Sequence, residues 1–209
     1  MTLGIDMTSG AAHAGRLPDI TANDLTPERQ PLWDAIVSGP RGAAPWMVAN
    51  GVLAGPFNAW LQVPDLGLHL AATGERLRFG SLLDPITREL VILTVGAHWH
   101  SEFEFWAHSG IGRSEGMSDD LIEAIAARDA DGVHRLANGA GRAAYAVARA
   151  LVDDGHPSAE LVDALRSEIG DAAAVEVVAL AGYYTTVSFT LNAFRVPLPD
   201  GVAPRWPLR

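Results

Sequence analysis

The chain has 209 residues, with 15 basic side chains against 25 acidic ones and a formal charge of −10. That balance excludes an anionic surface such as nucleic acid or a phospholipid headgroup layer as the main partner, because phosphate binding needs clustered cations. With 48% hydrophobic and 19% charged residues there is ample material for a packed core. Every basic residue is Arg and there is no Cys, so thiolate nucleophiles, disulfides and lysine Schiff bases are all excluded. Chemistry here must use carboxylates, imidazoles, hydroxyls, guanidinium groups or a bound cofactor.

Residues 1–25 are rich in Gly, Ala and Asp without periodicity, and are expected to form a mobile N-terminal arm. They lack the basic start and apolar run of a secretory leader, so a cytoplasmic location is expected. No stretch reads as long enough to cross a bilayer without polar interruption. A single domain is expected over 26–196. It opens at Thr26-Pro27-Glu28, a hydroxyl cap followed by Pro at the first helical position. Ser38 to Gly55, rich in Gly and Pro, reads as an irregular connection. From Pro56 to Arg78 the apolar spacing predicts two short helical pieces, broken near Pro64. Asp84-Pro85 caps the next helix, which carries Ile86, Leu90, Leu93 and Ala97, and another runs from about Ser101 to Ser114. Ser118 caps a further helix, and residues 137–153 are Ala-rich and helical. Ser158 opens one that ends at Gly170. A last helix, Asp171 to Phe194, is apolar almost all round, as expected of a core or a subunit interface. The tail over 197–209 holds four prolines. No run alternates as a strand should, so the fold class is all-α.

Chemistry concentrates in one stretch, ELVILTVGAHWHSEFEFWAH, from Glu89 to His108. Glu89 lies in an otherwise apolar run, so burial must give it either a raised pKa or a paired base, such as Arg88. Glu104 and His108 are four apart and therefore share one helix face, where a carboxylate can fix an imidazole for acid–base work. Ser101-x-x-Glu104 is equally a capping box, with Glu104 reaching back to the helix start. His98, His100, Glu104 and His108 also spell a metal set suited to Zn, Fe or Mn, the less favoured alternative. No metal or cofactor is the leading expectation. The other His residues, His13, His69, His134 and His156, are scattered.

Four blocks occur in an ordered series: GPFNAW (55–60), LDPITRELVILTVGAHWHSEFEFWAH (83–108), GMSDD (116–120) and GYYTTVSFTLNAFRVPLPDG (182–201). From Arg16 to Pro204 the chain resembles the carboxymuconolactone decarboxylase and alkylhydroperoxidase-D superfamily. The resemblance implies an all-helical bundle whose site lies on an antiparallel helix pair, and assembly into a trimer or hexamer. In the peroxidase branch a Glu precedes a C-x-x-C and a His follows. By that spacing Glu89 takes the place of the Glu, Ser101 and Glu104 those of the cysteines, and His108 that of the His. Without thiols the dithiol peroxide reduction is excluded, and the resemblance points to the cysteine-free, decarboxylating side. It implies a cofactor-independent lyase acting on a small carboxylated lactone or keto acid. The catalytic set is then Glu89, His108, Glu104 and His100. Arg88, Arg113, Ser101 and His98 are candidates for holding substrate. An isomerase, hydrolase or cyclase on a related intermediate, or a non-catalytic oligomeric binder, remains open. Replacing His108 or Glu89 is expected to lower turnover far more than stability.

Overall fold

In a computed structural model, which describes residues 15–207, the capping signals become helix starts. Among the described residues there are nine α-helices. They are α1 (Gln30–Val37), α2 (Phe57–Trp60), α3 (Pro64–Phe79), α4 (Pro85–His98), α5 (Glu102–Ser114), α6 (Asp119–Ala126), α7 (Ala130–Leu136), α8 (Gly139–Asp153) and α9 (Ala159–Ala193). The Asp84 carboxylate accepts the Thr87 amide at 3.0 Å, while Ser118 and Ser158 cap α6 and α9 through their hydroxyls. Each cap satisfies an amide that a helix start leaves open. Gly170, at φ 80° and ψ 165°, leaves helical geometry and splits α9 into 159–169 and 171–193. The break falls where Gly170 and Asp171 predict one helix ending and another beginning.

The organising element is α4. Residues Glu89 to Ala97 are all buried, because α4 lies between two hydrophobic clusters. Val91, Ile92 and Val95 face the larger one, shared with α8 and α9; Leu90, Leu93 and Ala97 face the smaller one, shared with α6. A helix apolar on every side is what such a central position requires. The all-α expectation holds, with one small exception. Val48–Ala49 (β1) and Val52–Leu53 (β2) form an antiparallel hairpin across Asn50 and Gly51, at φ 53° and 77°. Asn-Gly favours a turn with two positive φ values, a local signal in a segment otherwise read as irregular.

The chain ends are tied down where they are described. Of the arm expected over 1–25, residues 1–14 lie outside the described residues. Ile20 is buried and donates its amide to Asn58 Oδ1 at 2.9 Å, Thr21 bridges to Val52, and Arg16 N meets the Phe194 carbonyl at 2.8 Å. At the other end Glu102 accepts the amides of Arg205 and Trp206 at 2.9 and 2.5 Å. By length and composition α9 is apolar enough to cross a membrane, contrary to the reading of the sequence alone, but 56% of that window is buried inside the protein. Its remaining face is exposed and includes Val175, at 70% relative exposure, Val178 and Phe189.

Candidate active site

The α4–α5 pair is joined by Trp99, His100 and Ser101, with His100 in the left-handed region at φ 48°. So short a turn makes the helices antiparallel neighbours, and residues equidistant from it face each other. Gly96 packs on the backbone of Phe105, and Gly112 packs on Glu89, both at seam distances. The same alignment brings Glu89 Oε2 to 2.5 Å from His108 Nδ1. Glu89 Oε1 takes the Nε of Arg88 at 3.1 Å. On the far side of the imidazole, Glu104 Oε1 is 3.0 Å from Nε2, but off the ring's hydrogen-bonding direction, and that oxygen is left without a hydrogen bond. His108 is therefore held between two carboxylates, one aligned and one not.

All three groups are buried, with Glu89 at 0% exposure. Burial by itself would raise the Glu89 carboxyl. The imidazolium of His108, its hydrogen bond, and the cations of Arg78 and Arg88 outweigh this and hold the pKa below its ordinary value. For His108 burial acts downward, yet the charges of Glu89 and Glu104, together with the Glu89 hydrogen bond, raise it above its ordinary value. The centre is thus an imidazolium between carboxylates with a guanidinium behind it, in which each buried charge has a partner.

The capping box does not form. Ser101 stands at the N-cap of α5 without a side-chain cap bond, and its buried Oγ has no hydrogen-bond partner. Glu104 is free to turn toward His108 because Glu102, not Glu104, holds the neighbouring backbone of the tail. Arg88, a candidate for substrate, is committed to Glu89. Arg113, the other arginine candidate, is an exposed partner of Asp119 at 2.6 Å, because its place five residues beyond His108 turns it outward. His98 leaves the site: its Nδ1 meets Asp153 at 3.0 Å, in a surface group with Arg128 and Arg149. His100 also lies elsewhere, its ring stacked on Trp206 at 5.0 Å and 4°. The metal set His98, His100, Glu104 and His108 is consequently not assembled. Among the described residues no group of three or more His, Asp or Glu is arranged to hold a metal ion.

Two tyrosines of α9 complete the surroundings. Tyr184 of α9 sets its ring edge-on to His108 at 5.1 Å, and Tyr183 packs edge-on to Tyr184 at 5.2 Å. Burial keeps both phenols protonated by pushing their pKa values up. The Tyr183 hydroxyl fits against Gly74 of α3 so closely that a Cβ there would lie 2.0 Å from it. Arg41 and Arg78 were not singled out by the sequence, yet both act electrostatically on this tyrosine pair. No local motif marks them, since they come from a short helical turn after α1 and from the end of α3.

No protein-family model matches the chain, and no curated protein matches its sequence.

Proposed function

We propose that this chain is a cofactor-independent carbon–carbon lyase of the carboxymuconolactone decarboxylase type, acting on a small carboxylated lactone or keto acid. One observation carries the reading: the His108 imidazole enclosed by two carboxyl groups at the seam of the helix pair, with unequal hold on its two nitrogens. In decarboxylation the C–C bond to the carboxylate breaks, CO2 leaves, and the electron pair passes into a neighbouring carbonyl as an enolate. The enolate carbon then needs a proton. The Nδ1 proton of His108 is fixed at Glu89, whereas the Nε2 proton faces a carboxylate that does not align with it. His108 Nε2 is accordingly the donor, Glu104 relays the solvent proton that recharges it after each turnover, and Glu89 with Arg88 sets the ring. Ser101 Oγ, buried at the N-cap of α5 and without a partner, is suited to donate to a developing oxyanion.

The test is CO2 release from a panel of lactone acids and keto acids preselected by thermal shift, since a ligand that binds only the folded state raises its stability. Glu104→Gln preserves shape and should reduce turnover on the order of a hundredfold or more. Full turnover in both Glu104→Gln and His108→Gln would remove the site from the chemistry. A second reading has its own observation in its favour. Glu89, His108 and Glu104 are closed off from solvent, as in a structural ion cluster of a non-catalytic binder. Stability loss in these variants without any substrate-dependent difference would decide for it.

The exposed stripe Val175, Val178 and Phe189 on α9 further supports assembly with further copies of the chain, in a trimer or hexamer. Light scattering should show an oligomer that Val175→Glu dissociates; a monomeric wild type would refute this.

A further inference from the structure

A chain with a formal charge of −10 nevertheless brings two arginines to one cleft of about 530 Å3, between the turn after α1 and the helix α3. The volume is that of a small-molecule site. Arg41 and Arg76 line it, with apolar wall from Ile36, Leu68 and Phe79. Arg76 is occupied by Glu176 and the Gly80 carbonyl. Arg41 is not matched in the same way. Its side chain is 3% exposed, and its carboxylate partner Glu75 is 3.4 Å away and itself 45% exposed. Burying a guanidinium with so loose a counter-ion is costly. The turn imposes it: Gly42 lies so close to the Val37 carbonyl that a Cβ would sit 1.9 Å from it, which fixes the path of residues 39–42.

Beside this lining, across the Phe79 ring, stands a further cation, Arg78. It has no ion pair among the described residues and lies over the Phe79 ring at 4.9 Å, and Phe79 also faces Arg41 at 5.8 Å. Burial and the repulsion from Arg78 lower the Arg41 pKa, while its tyrosine neighbours and Glu75 act in the opposite sense. Arg78 in turn favours the charged form of Glu89. The two guanidiniums share the Phe79 ring, which forms part of the cleft wall.

We propose that Arg41 and Arg78 form a recognition site for the carboxylate of a small organic acid whose apolar body lies in the cleft against Phe79. Two planar guanidiniums suit a carboxylate, which can accept from both. An added anion would supply the counter-charge that Glu75 provides only in part. Identifying this anion with the substrate rests on the lyase reading; anion recognition itself does not.

The probe is paraconate, a γ-lactone acid, titrated calorimetrically into the full chain, with its methyl ester and inorganic phosphate in parallel. Paraconate should bind, its ester should not, and Arg78→Gln should weaken binding on the order of tenfold. Arg78→Lys, keeping the charge without the fork, should recover part of that loss. Because Arg41 is buried, Arg41→Lys is measured only after its folding is checked by circular dichroism, and should show a similar loss. Absent binding, equal binding of the ester, or an unchanged Kd in Arg78→Gln would overturn the proposal. Phosphate binding as tightly as paraconate would overturn the carboxylate assignment. The two readings fail separately. Arg78-dependent binding without His108-dependent CO2 release removes the lyase alone. His108-dependent CO2 release with KM unchanged in Arg78→Gln removes the recognition site alone.

Discussion

The ends and the middle of the stretch from Glu89 to His108 behave in opposite ways. Its ends, nineteen residues apart in sequence, meet at 2.5 Å in the protein interior. Its middle, His98 to His100, is most compact in sequence and is dispersed in space, one ring on Asp153 and the other on Trp206. In an antiparallel helix pair, distance from the turn decides which residues face each other, while residues in the turn point wherever its dihedrals send them. Density of ionisable groups along the chain is therefore a poor guide to a site, and symmetry about a turn is a better one.

The largest effect should come from the interior end. His108→Ala leaves Glu89 and Glu104 buried without their shared cation, which costs roughly 3–5 kcal/mol. Chemical denaturation should register that loss beside the loss of turnover. This revises the expectation that activity would suffer far more than stability, because the structure places His108 in a closed ion cluster. A loss below about 1 kcal/mol, the range of exposed pairs, would show that the cluster is open to water.

Gly74→Ala comes next. Its Cβ would lie 2.0 Å from the Tyr183 hydroxyl, so Tyr183 must move, at a cost of about 1–3 kcal/mol. A lowered melting temperature with altered Tyr183–Tyr184 packing in aromatic NMR signals is the expected result; an unchanged Tm would contradict it.

The third test uses pH. His108 is raised above 6.5 in the folded chain, so its contribution is full below 6.5 and is lost as pH rises through the folded value. Glu89 is lowered below 4.5, so its contribution is full above 4.5 and is lost as pH falls through its folded value. The pair stabilises most between these ordinary values and weakens on the alkaline side. His108→Gln should flatten the alkaline fall in denaturation midpoint. Parallel profiles for wild type and variant would show that His108 does not titrate in this way.

The smallest effect belongs to the turn. His98→Ala removes a partly exposed pair with Asp153, worth about 1 kcal/mol, and should leave turnover intact. A large drop in kcat would restore His98 to the site and cancel the contrast between the ends and the middle.

Much of this protein was legible without coordinates, for local reasons. Asp84-Pro85, Ser118 and Ser158 announce helix starts because their side chains satisfy nearby amides, and Gly170 announces a break because it adopts φ 80° without a Cβ penalty. Glu89 stood out because a carboxylate in an apolar run must find a partner. The exclusion of thiol and Schiff-base chemistry followed from composition alone. Only the tertiary structure could decide between Ser101 capping α5 and Glu104 turning to His108, since both use the same spacing. Packing also decided that Arg88 belongs to Glu89, and that Tyr184 and Tyr183 of α9 close round His108. Local signals act over a few bonds of chain and are written in order along it. Burial and charge pairing act through space between segments the sequence keeps apart, and become fixed only when the helices pack.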